Sequence, residues 1–362
     1  MPSGRVTAQT FTNLHSFTAT SISDANDDGI HPEAGLILSG NILYGTAGYG
    51  GSSGSGTVFK VNTDGTGFTI LHTFTANSDG ATPAAGLILS GNILYGTATG
   101  GGSSNYGTVF AVNTDGTGFT TLHHFTRGTD GANPVAGLIL SGNTLYGTAV
   151  SGGSSDDGTV FKINTDGTGF TNLHSFDMVG DGANPYAGLI LSGNILYGTA
   201  AYGGISDAGT VFALNTDGTS FTNLHSLTGG DGANPYAVVL SGHTLYATAY
   251  GGGSSGYGTV FAINTDGTDV TNLHSFTYTD GANPLAGLIL SGNTVYGTTS
   301  YGGGLGKGTV FAVNTDGTGF TILHSFTAIS GLERTNSDGT FPYAGLLLSG
   351  NTLYGEIGRA HV

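Results

Sequence analysis

A unit of about 50 residues is written over and over in this chain, and that repetition constrains the fold more than any other feature. The motif G-T-V-F begins at residues 56, 107, 158, 209, 258 and 308, at intervals of 49 to 51 residues. A second motif, G-L-I-L-S-G-N with variants, occurs seven times, with an inner Leu or Val at 36, 87, 138, 189, 238, 288 and 346. A third, F-T-x-L-H-S-F with variants, also occurs seven times, first at residues 11–17. A short unit of this kind cannot bury its apolar faces alone and has to stack on its neighbours.

Residues 85–126 hold one full unit. AGLILS is a short apolar run and reads as a buried strand. SGN makes a tight turn into a second strand, ILYGTA. TGGGSSNYG is a flexible loop. GTVFAVN reads as the third strand and FTTLHHF as the fourth, both rich in β-branched and aromatic residues. No helical period occurs. Four antiparallel strands per 50 residues are the signature of a β-propeller blade. The expectation is an all-β, seven-bladed β-propeller formed by residues 1–355 as one domain. Its last blade would combine the N-terminal strand Phe11–Phe17 with the C-terminal pair Leu346–Leu348 and Leu353–Tyr354, and would lack a G-T-V-F strand. In six units Thr follows L-Y-G or its variant (Thr46, Thr97, Thr148, Thr199, Thr248, Thr298), whereas Glu356 stands there in the seventh. The tail EIGRAHV reads like a translated sequencing adapter, so residues 356–362 are expected to be non-native.

The composite pattern DGANPxAGLILSGNxLYGTAxxGGSSxxGTVFxxNTDGTGF resembles the GloVer tandem repeat of choice-of-anchor bacterial proteins and, more loosely, kelch blades. The resemblance covers residues 11–355. It implies a secreted or cell-surface propeller whose full-length relatives are attached through varying C-terminal anchors. It implies no defined activity.

The segment NTDGTGF recurs at 62–68, 113–119, 164–170 and 314–320, with near-copies at 215–221 and 264–270. It lies between two strand patterns, and Asn, Asp and Gly tolerate positive φ, so it reads as a hairpin turn. A helix–loop–helix calcium site would need about twelve residues ending in Glu.

The chain has 7 basic and 23 acidic residues and a net charge of −16. That balance argues against nucleic acid, which is bound by clustered Lys and Arg. It permits cations, calcium included. No apolar run approaches the roughly 20 residues needed to cross a bilayer. A weakly charged surface of Thr, Ser, Asn and Gly points to an extracellular or cell-surface location, although MPSGRVTAQT has no signal-peptide core.

Three groups of residues could carry function. Asp-Gly pairs precede each inner strand, at Asp28, Asp79, Asp130, Asp181, Asp231, Asp280 and Asp338, each with Pro three residues after the Gly. They read as chain reversals, and alternatively as a ring of carboxylates near the axis. The fourth strands carry His15, His72, His123, His174, His225, His274 and His324, too far apart to share a metal, and suited to donate to the neighbouring Asp turns. The Gly- and Ser-rich loops hold Tyr49, Tyr106, Tyr202, Tyr250, Tyr257 and Tyr301. Exposed Tyr among Ser and Asn suits a polysaccharide, through an apolar ring face beside hydrogen bonds; packing on the next blade is the alternative.

The longest inter-blade loops, 21–34 and 329–342, would meet where the ring closes and bring Asp24, Asp27, Asp28, His31, Glu33, Glu333 and Arg334 to one rim. Asp24, Asp27 and Asp28 are the candidate calcium ligands. The leading expectation is a multivalent, non-enzymatic binding module, possible partners being polysaccharide or a cell-surface glycan. The alternatives are a glycan-acting enzyme at this seam and a structural cell-surface assembly protein.

Overall fold

The computed structural model describes residues 11–18, 26–327 and 338–356, and every element in them is a strand. The first blade is a four-stranded antiparallel sheet whose strands, from axis to rim, are Ile37–Ser39, Ile42–Ala47, Thr57–Asn62 and Thr69–Thr73. Five further sheets repeat this order and end in the outer strands Thr120–His124, Thr171–Ser175, Thr222–Ser226, Thr271–Ser275 and Thr321–Ser325. The protein is therefore a β-propeller with six four-stranded blades among the described residues.

The seventh blade, expected to join the N-terminal strand to the C-terminal pair and to lack a G-T-V-F strand, does not form as one sheet among the described residues. At its place stands a two-stranded hairpin, Leu347–Ser349 with Thr352–Tyr354. Residues 11–18 lie at the rim in no strand. Among the described residues no third strand stands between the hairpin and the rim segment. The rim segment still packs as its repeat position dictates. Phe11 stacks on His324 at 5.0 Å, and His15 stacks on Phe68 of the first blade at 3.7 Å. On the axial side, the Glu356 carboxylate accepts the Ala34 N–H at 3.0 Å and joins the hairpin to the first blade. Residues 357–362, the rest of the segment expected to be non-native, lie outside the described residues.

The third strands show why the blades stack. Val58, Phe59 and Val61 are all buried, although their side chains alternate across the sheet. Val58 faces the second blade, where it joins Leu71, Phe74, Leu94 and Phe110. Both faces of a blade are covered, so the strands read as nearly continuous apolar runs. An aromatic chain runs through most junctions: His72 stacks on Phe119 at 3.6 Å, and Phe74 meets Phe110 edge-on at 5.2 Å. At the junction of the fourth and fifth blades Leu227 and Val270 replace two of these Phe residues.

Two different faces result. On one, the S-G-N and N-T-D-G turns lie side by side, with the Thr63 N–H donating to the Asn41 carbonyl at 2.9 Å and Thr114 to Asn92 likewise. On the other, the inter-blade loop pairs with the loop after the second strand, as at Ala81–Gly100 and Ala132–Ser151.

The fifth blade departs from its siblings. Its inner strand runs unbroken over Ala233–Ser241, paired with Thr244–Gly251 from Ser241–Thr244 to Ala233–Gly251. Elsewhere the ladder between the first two strands spans three pairs, as at Ile190–Tyr197, Leu191–Leu196 and Ser192–Ile195. The two registers align Val239 with Ile190 and Ala237 with Ala187, which leaves Gly188 without a counterpart. Losing that one glycine lets the ladder run on, with a single bulge between Pro235 and Ala237. Two substitutions accompany it. A Cβ on Gly198 would meet the Phe212 ring at 2.5 Å and Leu189 at 2.9 Å. The fifth blade carries Ala247 at that position and the smaller Val238 opposite it, so the added methyl occupies space the shorter side chain leaves.

Candidate functional site

The seven Asp-Gly carboxylates are not a ring near the axis. Each is held at the rim by the His of the preceding outer strand, as the His positions suggested. The seven Nε2–carboxylate distances run from 2.5 Å at His174–Asp181 to 3.3 Å at His72–Asp79. Asp130 also accepts from the Thr126 N–H at 2.9 Å and the Thr126 hydroxyl at 2.6 Å. Each carboxylate thus ties an outer strand to the chain entering the next blade. Burial holds His15, His72, His123 and His274 below the usual imidazole range, while their Asp partners pull the other way.

Of the calcium ligands proposed from sequence, two lie among the described residues. Asp28 is buried, and its oxygens accept from the Thr18 N–H, the Thr18 hydroxyl at 2.6 Å and His15 at 3.3 Å. Asp27 is exposed, and Asp24 lies outside the described residues. Among the described residues no group of three or more His, Asp or Glu side chains is arranged to hold a metal. At the seam, His31 Nδ1 sits 2.9 Å from Glu33 Oε1, while Glu333 and Arg334 also lie outside the described residues.

The N-T-D-G-T turns satisfy themselves. Asp64 accepts from the Thr66 N–H at 2.9 Å and from its hydroxyl at 2.7 Å, and the Asn62 amide donates to the same hydroxyl at 3.0 Å. These bonds hold the fully exposed Asp64 carboxyl below the usual range. This face offers a ligand little that is unspent.

The loop tyrosines divide. Tyr49, Tyr202 and Tyr257 are exposed, at 47, 38 and 39 %. Tyr106 packs into the junction of the second and third blades, with the Arg127 guanidinium 5.8 Å from its ring centroid. Tyr257 lies 5.2 Å from Tyr278. Tyr301 faces Phe341 at 5.1 Å and brings its hydroxyl to 3.4 Å from that of Tyr343. Tyr250 reaches Tyr236, at 6.1 Å.

That last contact leads to Tyr186, Tyr236 and Tyr343, which the sequence did not single out, and to Glu33, which it placed at the seam. The axis opens into a cavity of about 310 Å³, lined by the seven P-x-A segments that lead into the inner strands. The residue between Pro and Ala is Glu33, Ala84, Val135, Tyr186, Tyr236, Leu285 and Tyr343 around the ring. Tyr186 and Tyr236 stack at 5.3 Å with 24° between their planes. Burial, and then the neighbouring Tyr202, Tyr186 and Tyr250, push the Tyr236 phenol well up, so it stays a hydrogen-bonding hydroxyl. Glu33 brings the single charged side chain among the lining residues. The signal was available: within the repeated DGANPxAG this is the position that changes chemistry from unit to unit.

The repeat itself is matched in known proteins. The family model described as the Gloeobacter/Verrucomicrobia repeat matches residues 4–207 and 178–360. No curated protein matches the chain. Among solved structures, the computationally designed Ika8 protein is 16 % identical, with a TM-score of 0.54 over 92 % of this chain and 95 % of that one. A candidate 6-phosphogluconolactonase from Bacteroides uniformis is 18 % identical, with a TM-score of 0.51 over 81 % of this chain and 84 % of that one. At these identities the likeness concerns the fold alone.

Proposed function

The chain belongs to the Gloeobacter/Verrucomicrobia repeat family, and from that premise we propose that it is an interaction module which binds polysaccharide at the cell exterior, on the face carrying the inter-blade loops. One observation carries this reading: the repeat spends its variation on that face. The opposite face is built from nearly invariant turns whose polar groups bond to one another. The loop face presents the exposed rings of Tyr49, Tyr202 and Tyr257 beside Ser and Gly. A rigid frame with variable loops is how scaffolds acquire binding. A tyrosine ring offers a sugar an apolar plane together with a hydroxyl. Several weak contacts around one ring gain from being engaged together. No helix of the described residues is long and apolar enough to cross a membrane.

A glycan array on the whole chain and on the triple variant Tyr49→Ala, Tyr202→Ala, Tyr257→Ala tests the reading. Signal on at least one glycan class, lost in the variant at unchanged melting temperature, supports it. Signal that survives the triple variant but falls with Asp64→Ala would place binding on the wrong face and refute it.

A further inference from the structure

Resting on the glycan reading above, we infer that the axial cavity recognises a protonated amino sugar, so that the polysaccharide is one carrying free amino groups. The argument begins from broken symmetry. Six of the seven P-x-A segments end in glycine, and a Cβ on Gly86 would come within 3.1 Å of the Gly35 carbonyl. This part of the ring is packed backbone against backbone, with little room for chemistry. The variable residue just before it is what the cavity presents, and around the ring those residues differ. Ala84 and Val135 make one stretch apolar; Tyr186 and Tyr236 make an aromatic step; Leu285 follows as a single apolar position; Tyr343 and Glu33 stand at the seam.

The aromatic step is built. Removal of the bend glycine from the fifth blade extends the strand pairing to Pro235–Ala249 and Ala233–Gly251, and Tyr236, at the bulge between Pro235 and Ala237, stacks on Tyr186. Tyr250, near the end of the second strand, closes on the Tyr236 ring. The cavity's size, about 310 Å³, falls at the small end of ligand sites, enough for a single sugar residue.

The charge is the second half of the argument. Glu33 has no Lys or Arg to neutralise it among the described residues. Lys60 donates to the Thr114 carbonyl, Lys162 to the Thr216 carbonyl, Arg127 pairs with Asp156, and Lys307 lies over Phe341. Its one ionisable neighbour within hydrogen-bonding distance is His31. The whole chain, at −16, adds a field that draws cations and repels acidic polysaccharides. A ring face, a phenol and a carboxylate in one cavity are the complement of a pyranose bearing an ammonium group. A neutral sugar would bring no opposite charge to the carboxylate, whose hydrogen-bonding partner is His31, and a uronic acid would be repelled by it.

The test is titration calorimetry of the full chain with three probes of equal length: glucosamine oligomers, N-acetylglucosamine oligomers and cello-oligosaccharides. The inference expects the glucosamine oligomers to bind about tenfold or more tightly than the other two, as one charge-assisted contact implies. That margin should shrink as salt is raised. Glu33→Gln should abolish the margin while leaving the weak binding of the neutral probes in place. Tyr186→Ala should weaken all three. Equal binding of the three probes, or a margin that survives Glu33→Gln, overturns the inference and leaves the glycan reading standing. If no probe binds the chain at all, the inference falls, and the glycan array alone decides the wider reading.

Discussion

Replacing one rim aspartate tests whether the His–Asp ties hold the blades together. Asp130→Ala removes an acceptor from three donors: the Thr126 N–H at 2.9 Å, the Thr126 hydroxyl at 2.6 Å and His123 Nε2 at 3.2 Å. The carboxylate is 15 % exposed, so water replaces those partners poorly. A net hydrogen bond contributes roughly 1 kcal/mol, more when the acceptor is charged, so the loss should be about 3 kcal/mol. Unfolding entropy of about 2.1 cal/mol/K per residue makes that a fall of about 4 °C in melting temperature for a chain of this length. Asp115→Ala is the matched control. It removes two bonds of similar length, from the Thr117 N–H at 2.9 Å and its hydroxyl at 2.7 Å, but at a fully exposed site. There the change should be too small to resolve. Asp130→Asn, which keeps an acceptor oxygen, should fall between the two. Differential scanning calorimetry at pH 7.5 reads all three. If Asp130→Ala and Asp115→Ala melt together, the rim carboxylates are decoration and the argument from burial fails.

Acid should weaken the fold through the same residues. His15, His72, His123 and His274 resist protonation when folded, whereas an unfolded imidazole takes a proton near pH 6.5. Their contribution is complete above that pH and is lost as pH falls through the depressed folded values, so melting at pH 5.5 should lie below melting at pH 7.5; identical curves would contradict it. Gly182→Ala should prevent accumulation of folded protein, because at φ 106° its Cβ would lie 2.6 Å from Thr210 Oγ1 and 2.8 Å from Ala200 Cβ. Gly193→Ala, at φ 59° with nothing within 4 Å, should cost about 1 kcal/mol and still fold, as read by circular dichroism. Inserting Gly between Ala237 and Val238 should break the nine-residue strand and separate Tyr186 from Tyr236; amide exchange at Ala237 that stays as slow as in the parent would refute the account of the bend.

Much of this fold was legible because each blade is made locally. Four short apolar runs, an S-G-N turn and an N-T-D-G turn recur in register, and neighbours in sequence are neighbours in the sheet. The His–Asp ties were legible for the same reason, since most partners lie six or seven residues apart. Closure was not. It depends on whether chain ends far apart in sequence share a sheet, and hydrophobic pattern says nothing about that. Residues 11–17 have the strand pattern and take the rim position, yet without a third strand beside them they pair with none.

The site was missed through a choice of what to count. Tyrosines in Gly-rich loops stand out because their surroundings are polar, while Tyr186, Tyr236 and Tyr343 sit between Pro and Ala and read as the start of a buried strand. In a ring, though, that start faces the axis, where every unit contributes one residue to a shared wall. A single unit would give no reason to look there. Packing can explain why the flanking Pro and Ala stay the same in all seven units, since each meets its neighbour in the same way. It cannot explain why the residue between them is Glu in one unit, Tyr in three and aliphatic in the rest. With the frame identical on both sides, that position is where the ligand proposed above would be read, beside the contacts that Tyr186, Tyr236 and Tyr343 make with other tyrosines.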